Sequence, residues 1–297
     1  FLDSLLLDLN DFKNDSTKSK LLFEIAAEYY YLKEIKLSHK VSKIILDEAK
    51  LRKDSISIGK AYYYIGDCYL EFQKDSAYYY YKESEKFFHK LKNKDLLAKV
   101  HYNKAYLLFY EGNYVESEIE VIKALNYLED SKKLITKYRC YSLQGSNHLE
   151  LEEYEKALIY FKEASNVLIE LQKQKKDIDS FYDYNITNII DICNVYDEQK
   201  NYSKSVIELK KNLKSNQVQD FPNLYHAVIG NLGYSLMKNG KYEEAREYFK
   251  KAIELTKNNK NTQGYLYKII NYGEYHLLTK DTLKARELFN EALQLSK

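Results

Sequence analysis

Apolar and small residues recur along the chain at the spacing of one face of a helix. The clearest case is the stretch NLGYSLMKNGKYEEAREYFKKAIEL, residues 231–255, which carries this spacing on both sides of a turn at Gly240. Gly233 and Ala245, twelve residues apart, allow two backbones to approach closely, and the ring of Phe249 fills the space beside them. The pattern predicts two short helices joined by a tight turn.

The same pattern occurs seven times in the chain. Small residues equivalent to Gly233 follow one another at intervals of 40, 39, 40, 48, 40 and 40 residues. One proline and nine glycines in 297 residues favour nearly unbroken helix with short turns. The seven equivalent positions are Ala26, Gly66, Ala105, Gly145, Cys193, Gly233 and Gly273.

This arrangement of glycine, alanine and aromatic residues resembles the tetratricopeptide repeat. The resemblance implies an all-α, right-handed superhelical solenoid of about seven helix-turn-helix repeats of ~40 residues, here covering residues 17–297. Residues 1–16 are predicted to be a lead-in segment or a partial cap. The long fifth interval places surplus polar residues near 172–180, either as a boundary between two sub-stacks or as a surface loop.

Charge and composition narrow the possible partners. The net charge is only +2, from 46 basic and 44 acidic residues, so we expect no nucleic-acid binding by this segment. There is no run of 18 apolar residues, so we expect no membrane insertion by it. The three cysteines lie far apart and form neither a disulfide framework nor a metal pair. The 32 tyrosines reflect either genomic base composition or the lining of a binding groove.

In a stack of this kind the first helix of each repeat lines the groove. Residues two to six positions before the small residue, and one or four to five after it, are predicted to face that groove. Six positions before it, the first four repeats carry cations, which suit an acidic or carboxylate-bearing ligand or are ordinary solvated charges. These cations are Lys20, Lys60, Lys99 and Arg139.

Tyrosine and asparagine side chains are predicted to face the same groove. Tyrosine combines rigid contact area with a polar tip, although packing between helices explains any single tyrosine equally well. An asparagine side chain can both donate to and accept from a peptide main chain. The candidates are Tyr63, Tyr64, Tyr102, Asn103 and Tyr106 in the first half, with Tyr110 nearby, and Asn194, Asn231 and Asn271 in the second half.

Catalytic and metal-binding motifs are missing from the sequence. It contains no HExxH, no GxSxG, no glycine-rich phosphate loop and no paired-carboxylate motif. Its six histidines are scattered, and His148 and His276 are predicted to pack inside their helix pairs. We therefore expect no enzymatic activity, no cofactor and no metal in this segment.

Stretches such as AYYYIGDCYLEFQKDSAYYYYKESEKF and EYEKALIYFKEAS resemble the N-terminal repeat region of Bacteroidetes histidine kinases and transcription regulators. This resemblance implies a non-catalytic sensory module that binds a protein or peptide in its concave groove and signals to an output domain outside the segment. It also favours an extracytoplasmic location. The alternatives are a cytoplasmic receptor similar to the peptide-pheromone receptors of Gram-positive bacteria and a passive assembly scaffold.

Both ends of the sequence suggest that it belongs to a longer protein. It starts at Phe1 without a methionine and stops at the end of a repeat helix. An uncapped last repeat would expose Leu288, Leu293 and Leu295, so a homodimer through the terminal repeat is possible.

Overall fold

The protein is described by a computed structural model that covers residues 16–70, 72–174, 178–214, 216–258 and 262–296. Fourteen α-helices lie within these residues. The chain divides into two compact units, Phe1–Asn147 and His148–Lys297. The predicted lead-in, residues 1–16, lies outside the described residues except for Ser16.

The helices follow the order that the seven repeats predict, and the fold is an all-α helical repeat. In the first four predicted repeats they are α1 (Ser16–Tyr31), α2 (Ile35–Leu51), α3 (Ser55–Tyr69), α4 (Lys74–Lys90), α5 (Lys94–Tyr110), α6 (Tyr114–Tyr127), α7 (Leu134–Glu150) and α8 (Tyr154–Lys173). In the last three they are α9 (Ile178–Glu198), α10 (Tyr202–Lys214), α11 (Pro222–Lys238), α12 (Tyr242–Asn258), α13 (Thr262–Leu278) and α14 (Thr282–Leu295). A 3₁₀ turn, Asn216–Asp220, precedes α11.

The small residues of the repeats are the points of closest helix contact. All seven are buried. A methyl group added at Gly66 or Gly273 would lie 2.7 Å from the ring of Tyr81 or Phe289 in the following helix. At Gly233 the equivalent distance to Phe249 is 3.2 Å. These contacts agree with the predicted register, because at these three repeats the small residue makes room for one aromatic ring of its partner helix.

In two of the repeats, a buried serine links the close contact to the next repeat. Ser38 on α2 donates to the carbonyl oxygen of Ala26 at 2.8 Å, and its hydroxyl accepts from the thiol of Cys68 on α3 at 3.5 Å. The same arrangement recurs around Ser117, which donates to Ala105 and accepts from Asn147. A helix carbonyl, a serine of the second helix and a side chain of the next first helix are therefore joined by buried hydrogen bonds.

The turns within the repeats share one backbone conformation. Seven residues after the small position, the chain adopts positive φ in six of the seven repeats, with values from 58° to 77°. The next amide then bonds back to the helix, as in Lys241 N to the Leu236 oxygen at 2.9 Å. This is the Schellman ending of a helix. Glycine occupies this position only at Gly112 and Gly240; the other four residues are Lys33, Glu152, Lys200 and Lys280.

The surplus residues of the fifth interval lengthen helices. Helix α8 has 20 residues and α9 has 21, compared with 13 to 17 in the other α-helices of the described residues. Helix α8 ends at Lys173 and α9 begins at Ile178, and residues 175–177 lie outside the described residues. A sub-stack boundary or a loop near 172–180 therefore stays a prediction.

A network of buried charges joins three helices of the first unit. Glu120 on α6 accepts from His101 Nδ1 at 2.6 Å and lies 3.0 Å from the ammonium of Lys104, both on α5. Lys104 also lies 3.0 Å from Glu85 on α4. Burial alone would raise the pKa of Glu120, but hydrogen bonds from His101 and Lys123 and the charge of Lys104 lower it to about 2. Every charge here has an opposite partner, which is the condition for burying it.

We expect Gly66→Ala to destabilise the first unit by roughly 1–3 kcal/mol, because the new methyl group would collide with the fully buried ring of Tyr81. The measurement is urea unfolding of the variant and of the exposed-site control Lys173→Ala. The control should unfold like the unchanged chain, and equal midpoints for all three proteins would show that the register is wrong.

The second unit contains a buried lysine with no carboxylate among its hydrogen-bond partners. Lys268 on α13 is 5% exposed and passes against Gly230 of α11, with its amine 3.3 Å from the carbonyl oxygen of Gly264. Burial lowers the pKa of Lys268 to about 8. His226, also on α11, has no hydrogen-bond partner at either ring nitrogen. Its pKa is lowered to about 4 by burial and by the charge of Lys268.

Lys268→Met should therefore stabilise the chain by roughly 1–3 kcal/mol at pH 7. The folded pKa lies below the ordinary lysine value of 10.5, so the penalty for burying the ammonium is complete below about pH 8 and vanishes as the pH rises through 10.5. Thermal unfolding at pH 7 and pH 10.5 tests this, with exposed Lys257→Met as the control. An equal gain in stability at both pH values would show that the buried ammonium of Lys268 is not the cause.

Candidate functional site

A groove in the first unit gathers most of the predicted site residues. We call it the tyrosine groove, and its cavity volume is about 560 Å³. Its walls come from the first helices of the repeats, α1, α3, α5 and α7, at the positions predicted to face a groove. The lining residues are Ala27, Tyr30, Tyr31, Tyr63, Tyr64, Asp67, Leu70, Lys99, Tyr102, Asn103, Tyr106, Thr136 and Arg139.

Two of the four predicted cations are not part of this groove. Lys20 is exposed elsewhere on α1. Lys60 places its ammonium over the ring of Phe23, 5.8 Å from the centroid, and so acts as a cation–π partner. Only Lys99 and Arg139 line the tyrosine groove, which reduces the predicted ladder of four cations to a pair.

The tyrosine rings form an aromatic wall in two groups, one on α5 and one on α3. Tyr102 and Tyr106 lie 6.2 Å apart between ring centroids, and Tyr106 lies 4.7 Å from Tyr110. On α3, the rings of Tyr63 and Tyr64 are 6.0 Å apart. Such surfaces suit apolar side chains, aromatic rings and cations.

Among the described residues, Asp67 is the one carboxylate that lines this groove, and it was not among the predicted site residues. Its Oδ1 accepts from Tyr81 Oη at 2.7 Å and from Asn103 Nδ2 at 2.7 Å. Asn103 Nδ2 also lies 2.9 Å from Tyr63 Oη, so the amide nitrogen of Asn103 is used inside the protein. Asp67 follows Gly66 directly, and the rule that this position faces the groove could have identified it.

Two charged groups of the tyrosine groove, Asp67 and Lys99, have shifted pKa values. Burial raises the pKa of Asp67 to about 7, although its two hydrogen bonds and the charge of Lys99 oppose this. The Lys99 side chain is exposed as a whole, yet its pKa is lowered, first by desolvation and then by the positive charges of Lys133 and Arg139. A carboxyl close to its titration point therefore lies beside crowded cations.

A second groove lies in the second unit, and its lining is acidic. We call it the acidic groove; its cavity volume is about 440 Å³, and it carries four carboxylates and no lysine or arginine. Its lining residues are Leu149, Glu150, Glu152, Tyr154, Asn194, Asp197, Glu198, Asn231, Tyr234 and Tyr267. Asn194 and Asn231 thus share a groove, whereas Asn271 is buried at 7% exposure and does not line it.

Asp197 is the carboxylate of the acidic groove that the fold holds in place. Its Oδ2 accepts from Ser235 Oγ at 2.8 Å, and Ser235 in turn pairs with Ser205 at 3.0 Å. The pKa of Asp197 is raised to about 6, mainly by burial, against the hydrogen bonds of the two serines. The sequence analysis named two asparagines of this groove and none of its carboxylates, although Asp197 lies four residues after Cys193, at a position predicted to face a groove.

The described part of the chain shows two further features that bear on function. It contains no cluster of three or more histidine, cysteine or acidic side chains arranged for a metal ion. Within the same residues, no helix combines the length and the apolar character needed to cross a bilayer. His148 is buried, as predicted, and its Nδ1 lies 2.6 Å from Glu153.

Comparison with known proteins identifies the type of repeat. Residues 222–297 match the tetratricopeptide repeat family. No curated protein sequence matches the chain. The fold is thus an all-α solenoid of the tetratricopeptide type, as the spacing of the small residues predicted.

Solved structures share this fold at low sequence identity. A Rap protein in complex with the competence and sporulation factor has a TM-score of 0.71 at 13% identity, covering 99% of this chain and 79% of that one. A Rap conjugation gene regulator of the plasmid pLS20, in complex with a Phr peptide, has a TM-score of 0.63 at 16% identity, with coverages of 99% and 83%.

A signal transduction ATPase with a tetratricopeptide repeat sensor from Pyrococcus horikoshii has a TM-score of 0.72 at 16% identity. The match covers 94% of this chain but only 42% of that protein. At identities this low, the similarity establishes a common fold. The function has to be argued from the residues of the site.

Asp67→Asn should stabilise the protein more at pH 8 than at pH 4. The folded pKa of Asp67, about 7, lies above the ordinary aspartate value of 3.8. Below pH 3.8 the carboxyl is protonated in both the folded and the unfolded chain, so its burial does not lower the stability. As the pH rises through 7 the folded chain must hold the ionised form, and stability is lost. Asparagine keeps an oxygen for Tyr81 and Asn103 without the charge.

Urea unfolding at pH 4 and pH 8 measures the difference between the variant and the unchanged chain, with exposed Asp47→Asn as the control. A difference that stays constant or falls with rising pH would contradict the raised pKa.

Proposed function

We propose that the chain is a non-catalytic, peptide-binding sensory module of a bacterial signalling protein, and that the peptide lies in the tyrosine groove. The observation that carries this proposal is the combination, in one cavity of about 560 Å³, of an aromatic wall with Asp67, Lys99 and Arg139. Ligand pockets typically have this size, a mostly apolar lining and a few polar groups that fix orientation.

The chemistry of the groove suits a peptide better than a featureless protein surface. Tyrosine rings give rigid contact area at low entropic cost, and their hydroxyls can bond to main-chain groups. Lys99 and Arg139 provide positive charge for a carboxylate. The Oδ1 atom of Asn103 is left to accept from a peptide amide, because its amide nitrogen is used internally.

The fold comparison is consistent with this proposal. One structure of similar fold is a Rap regulator in complex with a Phr peptide, and another carries a tetratricopeptide repeat sensor. These proteins show that the fold can serve such roles in them. For this chain the roles remain our proposal, whether in a membrane-anchored kinase or regulator of the Bacteroidetes kind or in a cytoplasmic receptor.

We further propose that a bound peptide changes the superhelical pitch, and that an output domain outside this segment detects the change. Repeats that contact only their neighbours can convert small changes at each interface into a larger change along the stack. Small-angle scattering profiles that stay identical with and without a saturating peptide would contradict this part of the proposal.

The binding test uses a library of decapeptides that includes acidic C-terminal sequences. We expect the unchanged chain to retain peptides in ultrafiltration and to show saturable binding by calorimetry. Charge reversal by Lys99→Glu with Arg139→Glu should weaken binding of the retained peptides by about tenfold or more, since both side chains line the tyrosine groove.

The matched control is Lys94→Glu, which reverses an exposed charge on the same helix as Lys99 but outside the groove. It should bind the same peptides as the unchanged chain. If no decapeptide is retained, the peptide-binding proposal fails and a passive scaffold becomes the better interpretation. If Lys94→Glu weakened peptide binding as much as Lys99→Glu with Arg139→Glu does, the peptide would bind outside the tyrosine groove.

A further inference from the structure

The tyrosine groove holds charged groups of both signs, and this limits the ligands that fit. Asp67 is on α3, Lys99 on α5 and Arg139 on α7, and all three line the same cavity. A ligand with a single kind of charge would satisfy one side of this groove and leave the other side unmatched.

The Asp67 carboxylate is oriented by the protein without being neutralised by its hydrogen bonds. Both groups bonded to it, the Tyr81 hydroxyl and the Asn103 amide, are neutral, and both bond to Oδ1. A carboxylate can accept about four hydrogen bonds over its two oxygens. The Oδ2 atom is therefore the part of this fixed carboxylate that can meet a donor on a ligand.

The positive side of the groove is crowded with like charges. Lys133 and Arg139 both act on Lys99, and together with desolvation they lower its pKa. Asp67 supplies a negative charge that acts in the opposite direction. A carboxylate placed at Lys99 and Arg139 would relieve this repulsion, and the arginine can bind it through two parallel hydrogen bonds.

The Tyr63 hydroxyl shows that the two sides are close to each other. Burial raises the pKa of Tyr63 well above its usual value, Asp67 raises it further, and Arg139 opposes both. The charges of the Asp67 carboxylate and the Arg139 guanidinium therefore both act on the Tyr63 hydroxyl. Around these charges, the rings of Tyr64, Tyr102 and Tyr106 offer contact for side chains.

From this arrangement we infer that the tyrosine groove binds a short peptide with free termini, whose ammonium group is held by Asp67 and whose carboxylate is held by Lys99 and Arg139. The cavity is larger than one amino acid needs and falls within the range of drug-sized ligands, which corresponds to a few residues. The inference rests on the proposed peptide-binding function and names the class of peptide.

The test uses a tripeptide library in three forms: free termini, acetylated amino terminus and amidated carboxyl terminus. Ultrafiltration and mass spectrometry measure retention by the full chain, and calorimetry gives the affinity of each retained sequence. We expect the free form to be retained and each blocked form to bind about tenfold more weakly or worse.

Two variants assign each terminus to its partner. Asp67→Asn should weaken binding of the free form and abolish its advantage over the acetylated form. Lys99→Met should do the same with respect to the amidated form, and it changes an exposed side chain that the fold does not need. The exposed controls Asp47→Asn and Lys94→Met should leave both preferences unchanged.

The outcomes separate this inference from the proposed function. If blocking either terminus leaves retention unchanged, or if the variants do not alter the preferences, the assignment of the two charges is wrong. Retention of decapeptides without retention of any free tripeptide would overturn the inference while the peptide-binding function stands. If neither library is retained, both fail.

Discussion

The close approach of two helices at one small residue per repeat is the constraint on which the rest of the structure depends. Gly66, Gly233 and Gly273 each leave room for an aromatic ring of the partner helix, at distances that an additional carbon would violate. Buried serines such as Ser38 and Ser117 then connect the carbonyl at this point to the following repeat. Packing within a repeat and alignment between repeats are thus fixed at the same place.

The groove follows from this contact. At about 100° per residue, the positions one after, three before and six before the small residue lie roughly 60° to 120° around the helix from it, on one side of the helix. Tyr63, Asp67, Lys99 and Arg139 occupy such positions in successive repeats, and they line one cavity although 76 residues separate the first from the last. The periodicity that builds the fold therefore also assembles the site.

The same reasoning explains how far the sequence could predict the molecule. The register of all seven repeats was readable, because a buried small residue and a ring beside it leave a repeating pattern. Lys60 was assigned to the groove by position, yet its flexible side chain reaches Phe23 instead. Asp67 and Asp197 were missed because their importance lies in burial and in hydrogen bonds from residues 14 to 38 positions away.

The left-handed residues of the turns were also difficult to predict from the sequence. The left-handed turn residue is glycine at Gly112 and Gly240 but lysine at Lys33, Lys200 and Lys280. A residue with a Cβ in this conformation costs about 1 kcal/mol or more, and the hydrogen bonds of the helix ending compensate for it. Looking for glycine alone would have found two of the eight residues with positive φ in the described part of the chain.

The buried carboxylates of the core and of the candidate site differ in the partners that surround them. Glu120 in the core is paired with His101, Lys104 and Lys123, and its pKa falls to about 2. Asp67, in the same unit, is hydrogen-bonded by two neutral groups, and its pKa rises to about 7. Since this fold can surround a buried carboxylate with cations, leaving Asp67 with neutral partners costs stability that a purely structural role would not require. Groups held in such a state cluster at functional sites, because a ligand can supply the missing interaction.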